Sequence, residues 1–512
     1  MDTEIELKFL VSDLTAEQLT HIIQSYADVV SSFSTKQLYN EYFDTEDRQL
    51  REHDIGLRIR CAAGECEQTC KLAGKVVGGL HQRPEYNQPL PSEHSNIPNL
   101  SLFPPDIWPE GLKPEVLQPS LQSLFKTHFT RHAWVVSYRD SEVEIVFDEG
   151  DIISGERTEQ ILEVEVELIS GTIDALFEFA ELLLTEANAR LGSQSKAARG
   201  YRLMKGESLE AKESLDAVPL SRKESIENTF LACMEYAIGF VQYHEACYFS
   251  RPSLSALRRL SDGVALIRHC FWVFSETIPE AMSKNLRKEL KWLLKAFDWV
   301  ENARQLRALL SKKKKYRKRV DVSEHLLDVL EHKQDDFPDV DAVQTLIAST
   351  RYNLLMLRLS RWLVERRWLA AMDDDGLEKI RQPASKLARR LLDDEWKALR
   401  EAMPEVQKDH GVSFIKYHKA LKRGLMTGTC FGALFEFNSR QEFREPWIDL
   451  SRGIDELKTL QLMGDLVSKL PESEDDGRVK IDNWLENQYS SLLLAMGHTR
   501  ASALRVIPYW LD

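Results

Sequence analysis

The chain has 512 residues, of which 43% are hydrophobic and 29% are charged, and its formal net charge is −14. This length exceeds what one hydrophobic core organises, so we expect two to four domains. No apolar run approaches the roughly 20 residues of a membrane-spanning helix, so the composition predicts a soluble globular protein with no membrane partner.

The cysteines and the first residues point to a cytoplasmic protein. Seven cysteines are scattered along the chain, an odd number that argues against a disulfide scaffold and for a reducing compartment. The spacing of Cys61, Cys66 and Cys70 fits no standard zinc-ligand pair, so we expect buried thiols there. The N-terminus is acidic within four residues and does not have the pattern of a signal peptide.

The first 205 residues are dominated by strand-type alternation. A capping box at Thr15 and Gln18 predicts an early helix, a second amphipathic helix is expected over 172–191, and eight prolines between Pro89 and Pro119 predict an irregular excursion. About eight strands in one half of a chain suggest a sheet that closes on itself. The predicted strands are 2–10, 37–43, 56–61, 67–72, 82–87, 131–139, 142–148 and 161–169.

The pattern changes near residue 205. Residues 206–217 are polar and linker-like, and from 218 to 512 helical periodicity replaces strand alternation, which predicts an all-α bundle. Charge divides in the same way, because residues 1–200 carry 34 acidic and 17 basic side chains whereas the remainder carries 47 and 50. We therefore predict a multidomain α+β protein whose two halves have different electrostatic tasks.

The strands of the first half are charged on one face and apolar on the other. In EIELKFL and ILEVEVEL, a strict period of two puts the charges on one side, as in Glu4, Glu6 and Lys8. An ordinary half-buried strand, with its charges in water, has the same pattern. Other strands also carry charged faces, however, and the two amphipathic helices can cover the apolar faces from outside. The charged faces would then line the interior of a barrel.

A charged interior suggests a hydrated tunnel that holds a ligand. Unpaired buried charges cost several kcal/mol each, so a sealed interior of this kind would be strongly destabilising. Basic side chains can instead bind a polyanion, while clustered carboxylates hold divalent cations that bridge to it. Phosphate chains with Mg²⁺ are the ligands that best fit both signs of charge.

These motifs together resemble the CYTH superfamily of triphosphate tunnel metalloenzymes. The resemblance covers about residues 2–203, and its motifs occur in order as EIELK, LRIR, TCK, FTRHAW, FDEGDI, LEVEVEL and SKAARGY. It implies an eight-stranded antiparallel β-barrel open at both ends, with residues 1–205 as the catalytic domain. The family includes inorganic triphosphatases, thiamine triphosphatases, RNA triphosphatases and one class of adenylate cyclases.

The resemblance also implies roles for particular side chains. Two Mg²⁺ ions are expected, with Mn²⁺ as an alternative, and four glutamates compete for the role of general base. The predicted catalytic residues are Glu4, Glu6, Lys8, Glu165 and Glu167. The predicted metal ligands are Glu4, Glu6, Asp148, Glu163, Glu165 and Glu167. The predicted triphosphate-binding residues are Lys8, Arg58, Arg60, Lys71, Arg83, Arg131 and Lys196, with Glu85 paired to Arg83 at one wall.

Basic residues recur at helical spacing in the second half, where a solvated helix face is the simplest interpretation. Their repetition also fits a shared basic groove for a polyanion. Nucleic acid is not expected, because aromatic residues do not alternate with the bases. The basic residues are Arg258, Arg259, Lys312 to Lys315, Arg317, Lys318, Arg319, Arg358, Arg361, Lys386, Arg389, Arg390, Lys416, Lys419 and Arg423.

Helical pairs with LRRL, placed directly after the first module, resemble the CHAD family. That resemblance implies polyphosphate binding by the helical half, with a structural or regulatory role as the alternative. His418 lies nearest to a family-like position, whereas His244 and His269 are expected to be packed or capping residues. The residues aligned with the family's His and Arg motif are Arg251 and Leu254, so at least one ligand type is lost.

Taken together, these features predict an inorganic triphosphatase that releases pyrophosphate and phosphate. Its substrate partner would be inorganic triphosphate, and the helical half would add long-chain polyphosphate. Two alternatives stay open. A thiamine or nucleoside triphosphatase, or an adenylate cyclase, would use the same tunnel, with Tyr42 and Trp134 available to hold an organic group. A polyphosphate-binding module with vestigial catalysis is the alternative from a different class.

Overall fold

The computed structural model describes residues 2–90, 97–311, 316–320, 324–405, 411–470 and 475–511. The chain forms two compact units. Residues Met1–Glu210 and Gln344–Glu365 form the first, which we call the sheet unit. Residues Ala211–Val343 and Arg366–Asp512 form the second, which we call the helical unit.

Eight antiparallel strands of the sheet unit close into a ring. The sheet has ten described strands in all, and two short ones lie outside the ring. In chain order they are β1 (Asp2–Val11), β2 (Val29–Asp44), β3 (Gly56–Ala62), β4 (Glu65–Lys71), β5 (Lys75–Val77), β6 (Leu80–Leu90), β7 (Gln122–Tyr138), β8 (Ser141–Ser154), β9 (Arg157–Ser170) and β10 (Ala189–Leu191). The ring runs β1–β9–β8–β7–β2–β3–β4–β6, and β6 pairs back to β1. The short strands β5 and β10 add to β6 and β1. The predicted closed eight-stranded antiparallel sheet is confirmed.

Several element boundaries differ from the sequence prediction; β7 begins at Gln122 rather than at residue 131, and β8 ends at Ser154 rather than at 148. Strand β2 begins at Val29 rather than at residue 37, because its first half pairs with β7 in a long ribbon, from Val29 opposite Ser137 onward. The first half of β2 was not predicted as a strand, because serines at 31, 32 and 34 weaken the local strand pattern. The second predicted helix ends at Glu186 instead of 191, and β10 follows it.

The strand registers place charged residues on one face and apolar residues on the other. Glu6 lies opposite Glu167, and Lys8 lies opposite Glu165. The intervening Leu7 and Val166 are fully buried on the outer face. Helix α1 (Ala16–Tyr26) packs on β2, and helix α4 (Ile173–Glu186) packs on β9 and β10. The predicted capping box of α1 is present, with each of Thr15 and Gln18 bonded to the backbone of the other.

The proline-rich excursion covers the outer face of β3 and β4. It contains three short 3₁₀ helices (Leu100–Leu102, Pro105–Ile107 and Gln118–Ser120) and helix α3 (Pro114–Leu117). Helix α2 (Gln49–Glu52), between β2 and β3, adds Leu50 to the same core cluster. Its buried apolar side chains join those of the strands in one core cluster. Gln68 fixes the excursion, because its side-chain amide both donates to the carbonyl of Asn99 and accepts from the Asn99 N–H.

Helix α5 (Lys196–Lys205) packs against the ring at β7, β8 and β9. Tyr201 packs with Tyr42 and Phe125, and its hydroxyl donates to Asp44 Oδ2 at 2.9 Å. Gly200 is required at the closest approach, since a Cβ atom there would lie 2.1 Å from the ring of Phe125. This docking fixes the first turn of α5, which begins with Lys196.

The remaining described elements are helices. They are α6 (Ile226–Ser250), α7 (Leu254–Val273), α8 (Lys284–Ala296), α9 (Val300–Leu310), α10 (Arg317–Val320), α11 (Glu324–His332), α12 (Val340–Ala348), α13 (Thr350–Val364), α14 (Asp374–Arg381), α15 (Ala384–Glu401), α16 (Val412–Phe431), α17 (Phe437–Val467) and α18 (Asp475–Arg505), with 3₁₀ helices at Glu280–Ser283, Arg367–Ala371 and Gly432–Leu434. The predicted helical second half is confirmed, although α13 belongs to the sheet unit. Across the described ranges, none of the helices combines the length and hydropathy needed to cross a membrane.

The cysteines of the β3–β4 hairpin differ from expectation. Cys61 and Cys66 are register partners and form a disulfide, so the prediction of buried thiols is wrong for this pair. Cys70 is a buried free thiol, as predicted. Cross-strand neighbours come close enough for a disulfide, and the sequence separation of five does not reveal that pairing.

Candidate active site

The ring encloses two cavities lined by the charged strand faces. One has a volume of about 600 Å³ and the other about 740 Å³. Arg60, Arg131 and Glu144 line both, so the cavities meet at these side chains in the middle of the ring. The predicted inward orientation of the charged faces is confirmed.

Most of the sequence-predicted site residues line the 600 Å³ cavity. Asp148 and Glu163 do not line it, because they are fully buried behind the cations. The predicted residues that line it are Glu4, Glu6, Lys8, Arg58, Arg60, Lys71, Arg83, Arg131, Glu165, Glu167 and Lys196, together with Glu85.

Three predicted metal ligands are already paired with cations. Carboxylate oxygens of Asp148, Glu163 and Glu165 lie within 4.8 Å of one another. Lys196 Nζ lies 2.6 Å from Asp148 Oδ2 and 3.0 Å from Glu165 Oε1, and it also contacts Glu163. Lys8 Nζ lies 2.8 Å from Glu163 Oε1 and also contacts Glu165.

Arg131 completes this ion-pair network. Its Nε and Nη2 donate to the two oxygens of Asp148 at 2.7 and 2.6 Å, and Nη2 also donates to Glu165 at 2.9 Å. Burial works against every charge here. Even so, Asp148 holds the pKa of Arg131 well above its usual range, and Lys196 and Lys8 hold the pKa of Glu165 well below its usual range. All three carboxylates are therefore charge-balanced by Lys8 and Arg131 of the ring and by Lys196 of α5.

A second chain of ion pairs lies on the opposite wall. Lys71 Nζ lies 2.5 Å from Glu4 Oε2 and 2.8 Å from Glu85 Oε2, and Arg58 Nη2 lies 3.5 Å from Glu85 Oε1. Against the effect of burial, Lys71 and Arg58 lower the pKa of Glu85 to about 2. Glu85 therefore holds two cations in place on this wall.

Negative charge is in excess at three adjacent strands. Glu6, Glu167 and Glu144 are register neighbours on β1, β9 and β8. Burial and the neighbouring Glu165 raise the pKa of Glu6 to about 7, although Lys8 acts in the opposite direction. Burial and the charges of Glu4, Glu6 and Glu144 raise the pKa of Glu167 to about 8. A divalent cation at this acidic group would relieve the repulsion, but the oxygen atoms of its three carboxylates do not all lie within 4.8 Å of one another, as those of Asp148, Glu163 and Glu165 do.

Arg60 lies among cations of the same cavity, namely Arg58 and Arg131, which are themselves paired with Glu85 and Asp148. Burial, with the charges of Arg58 and Arg131, lowers the pKa of Arg60 to about 10. Arg60 Nε donates to Asn40 Oδ1 at 2.8 Å, which fixes its orientation. An anion placed among these guanidinium groups would relieve their repulsion. The cavity therefore offers an anion site and a cation site together.

Sequence reasoning missed three side chains that belong to this interior, namely Glu144, described above, His81 and Arg199. His81 lies opposite Glu6 in register, and burial with the charges of Lys8 and Arg83 lowers its pKa to about 3, so it is neutral. Arg199 donates to Glu163 Oε2 at 3.0 Å from α5, one turn after Lys196. The signals for His81 and Arg199 were the alternation of HQRPEYN and the helical spacing within SKAARGYRLM.

The two aromatic residues considered for an organic substrate are placed differently. Trp134 lies on the outer face of β7, 1% exposed, with its ring 5.2 Å from that of Phe33. Tyr42 lines the cavity and stacks on Phe125 at 4.6 Å. Only Tyr42 of this pair is thus available to an organic group.

Several basic residues of the second half already have acidic partners. Arg358 and Arg361 lie on α13 in the sheet unit and pair with Glu181 and Asp174, so they do not belong to a groove of the helical unit. The run Lys312 to Lys315 lies outside the described residues. Further pairs in the helical unit are Arg258–Asp455, Arg259–Asp262, Arg390–Glu276 and Arg423–Glu395.

The histidines of the helical unit follow the prediction in part. His244 bonds the backbone of Phe240 and Lys212, and His269 bonds Thr427, so both are packed as expected. His418 is buried beside Lys458, whose Nζ lies 2.6 Å from His418 Nδ1.

Three thiols also meet inside the helical unit. Cys233, Cys270 and Cys430 are fully buried, and their sulfur atoms lie within 4.8 Å of one another. Metal ligation would require thiolates, and several negative charges in an apolar core cost several kcal/mol each. Neutral packed thiols account for this cluster.

Comparison with known proteins agrees with this geometry. The model of the CYTH domain matches residues 2–201, and that of the CHAD domain matches residues 232–497, just over half of the chain. An inorganic triphosphatase of Haemophilus influenzae is 40% identical over 202 residues, which cover 39% of this chain and 54% of that protein. The match thus spans about half the length of this relative.

Solved structures with similar parts were also found. The CHAD domain of Ricinus communis is 18% identical with a TM-score of 0.41, and the match covers 59% of this chain and 98% of that one. A Hippeastrum protein described as having a dominant triphosphatase activity is 18% identical with a TM-score of 0.29, covering 40% and 97%. The assignment rests on the two domain models, and this chain is a CYTH–CHAD two-domain protein of the triphosphate tunnel metalloenzyme superfamily.

Proposed function

We propose that the chain hydrolyses inorganic triphosphate to pyrophosphate and phosphate inside the ring, with divalent metal ions. The observation that carries the proposal is the presence of grouped cations and grouped carboxylates in one cavity of about 600 Å³. A triphosphate chain with its metal carries both complementary charges. The activity of the Haemophilus influenzae relative supports the same reaction class.

The acidic group formed by Glu6, Glu167 and Glu144 supports a metal site, because its repulsion would be relieved by a divalent cation. Glu4 lies two residues from Glu6 on the same strand face and would extend this site. Bound Mg²⁺ supplies charge neutralisation of the phosphate chain and activation of water. Mg²⁺ prefers oxygen ligands from carboxylates, phosphates and water, and this set provides them.

The basic residues act on the phosphate oxygens. Arg58, Arg60 and Arg131 would bind the triphosphate, and their fixed orientation avoids reorganisation as charge develops on the leaving pyrophosphate. Lys8 and Lys196 would also stabilise the negative charge on the leaving pyrophosphate, while they remain paired with the buried carboxylates. Asp148 and Glu163 would then position these cations. Glu4, Glu6, Glu165 and Glu167 all remain candidates for the general base.

The experiment that tests this proposal is phosphate release from three substrates. Tripolyphosphate, thiamine triphosphate and ATP are each incubated with Mg²⁺ and, in parallel, with EDTA. We expect Mg²⁺-dependent release that favours tripolyphosphate by at least about tenfold in kcat/KM. The reason is that the cavity lining is mostly polar and, among the described residues, Tyr42 is its one Phe, Tyr or Trp side chain. Preference for an organic triphosphate would overturn the substrate, and no release from any of the three would overturn the activity.

We infer a second function for the helical unit, the binding of long-chain polyphosphate. Burial and the charges of Lys422 and Lys458 lower the pKa of His418 to about 2, and burial lowers the pKa of Lys458. Arg258 adds to the same positive group, which Asp455 and Glu301 offset only in part. An anion would relieve the remaining repulsion.

Binding of long-chain polyphosphate to the full chain tests this inference. In EDTA, Lys458→Ala is expected to weaken binding roughly tenfold, about the effect of one charge-assisted hydrogen bond, and added salt should weaken binding by the wild type. The control is Arg452→Ala on the same helix, since Arg452 is exposed and paired with Asp449. Equal affinity of the two variants, or insensitivity to salt, would contradict the inference.

A further inference from the structure

Helix α13 lies within the residues matched by the CHAD model, yet it packs in the sheet unit. It contacts α4 and β10, and its residues Arg358 and Arg361 pair with acidic side chains of α4. Helix α13 begins at Thr350, far along the chain from α5, which ends at Lys205, and the strands pair into a ring without it. Two of its side chains instead form hydrogen bonds with the backbone around one site residue, Lys8.

Lys8 lies where β1 changes partner. Its neighbour Leu7 forms the last register pair with β6, opposite Leu80, and Phe9 forms the first pair with β10, opposite Leu191. The N–H of Lys8 donates to the carbonyl of Gly79 at 3.3 Å, and the carbonyl of Lys8 accepts from the N–H of Gly192 at 2.8 Å. Two short backbone segments, 78–79 and 191–192, therefore hold the Lys8 peptide on its two sides.

Helix α13 bonds to both of these segments. The side-chain oxygen of Asn353 accepts the N–H of Leu191 at 3.0 Å, and Ser360 Oγ lies 3.3 Å from the carbonyl oxygen of Gly78, which shares the hydroxyl proton with the carbonyl of Met356 at 2.9 Å. Both side chains are buried, with exposures of 1% and 0%. Asn353 is itself fixed, because its amide nitrogen donates to the carbonyls of Ile347 and Ser349.

The packing at Lys8 leaves little room for adjustment. A Cβ atom at Gly192 would lie 3.0 Å from Lys8 Cγ, so the backbone at 191–192 lies directly against the Lys8 side chain. A shift of β10 would move Lys8 Nζ relative to Glu163 and Glu165. Displacements of about 1 Å at a reacting site can reduce rates about 100-fold.

We propose that Asn353 is a positioning residue for Lys8, with Ser360 in a supporting role, so that α13 completes the active site of the ring. This inference rests on the proposed triphosphatase function, which supplies the activity to be measured. Asn353 touches no substrate in this proposal and acts through Leu191, Gly192 and the Lys8 backbone.

The test is a mutant cycle on the full chain with tripolyphosphate and Mg²⁺. Asn353→Ala is expected to lower kcat/KM about 10- to 100-fold in the wild-type background. In a chain carrying Lys8→Ala, the same substitution should change the residual rate less than about twofold, because the group it positions is gone. The control on the same helix is Arg358→Ala, whose exposed pair with Glu181 lies away from Lys8, and it should retain wild-type kcat/KM.

A second measurement separates positioning from loss of folding. Hydrogen exchange in Asn353→Ala should accelerate at Lys8, Leu191 and Gly192 and stay unchanged in β7 and β8. If Asn353→Ala does not fold, Ser360→Ala takes its place, with a smaller loss of kcat/KM that also disappears in the Lys8→Ala background. Equal losses in both backgrounds, or unchanged activity in an active protein, would overturn the inference, whereas an inactive wild type would overturn the proposed function instead.

Discussion

Glu6→Gln is expected to lower kcat/KM for tripolyphosphate about 1,000-fold while the ring stays folded, a loss comparable to removing a key electrostatic group from an active site. Glu6 is 9% exposed and lies in the acidic group with Glu167 and Glu144. Glutamine keeps the size of the side chain and removes the charge that a divalent cation requires. Phosphate release at saturating Mg²⁺, compared with wild type, measures the effect.

The same substitution should change how stability depends on pH when metal is removed. The pKa of Glu6 is raised from its ordinary value of 4.5 to about 7, so the folded state holds this proton more tightly than the unfolded chain does. Ionisation of Glu6 therefore lowers the free energy of unfolding. This loss is absent below about pH 4.5, grows as the pH rises and is complete above about pH 7. In EDTA, wild type should lose stability from pH 5 to pH 9, and Glu6→Gln should lose less.

The control for both measurements is Glu149→Gln. Glu149 is exposed on β8 and directly follows Asp148, so its side chain points away from the interior. We expect wild-type activity and a wild-type pH profile for this variant. Near wild-type turnover of Glu6→Gln would contradict the proposed site, and an unchanged pH profile would show that Glu6 is not repelled by its neighbours.

Asp148→Ala is expected to destabilise the ring by about 3–5 kcal/mol, because it removes a fully buried carboxylate that balances both Arg131 and Lys196. Asp148 accepts two hydrogen bonds from Arg131 and forms an ion pair with Lys196, so its loss leaves Glu163 and Glu165 to balance these two cations as well as Lys8. The measurement is urea denaturation monitored by hydrogen exchange of the β8 amides. These amides report the free energy of unfolding of the ring separately from that of the helical unit.

An exposed ion pair of the same sheet provides the control. Glu41 pairs with Lys126, whose side chain is 63% exposed, so Glu41→Ala should cost less than about 1 kcal/mol. Asp148→Asn should fall between the two, since the amide oxygen still accepts a hydrogen bond. Loss of less than about 1 kcal/mol in Asp148→Ala would show that the network around Arg131 does not stabilise the ring.

Much of the site was predictable because strand alternation is a local property. A period of two decides which side chains share a face, so Glu4, Glu6 and Lys8 could be grouped before any pairing was known. Closing eight such strands then turns the charged face inward. His81 obeys the same rule, since it alternates with Arg83 and Glu85 on β6 and lines the same cavity.

The balance of charges within the site could not be predicted in this way. Lys8 meets Glu163, which lies 155 positions away, and the strand register alone decides that encounter. The registers balance Asp148, Glu163 and Glu165 with cations and leave Glu6 and Glu167 mutually repelling. The sequence pattern predicts the six acidic residues as equivalent metal ligands. In the structure they differ, because some are paired with cations and others lie beside like charges.

The sequence alone determined the two-part organisation, the closed sheet and the inward charged face, since composition and periodicity act over neighbouring residues. Only the tertiary structure decided which carboxylates are paired, that Cys61 bonds Cys66, and that α13 packs beside the ring. These features depend on contacts between residues far apart in the chain, whose geometry is set by strand register and helix packing and leaves no local pattern.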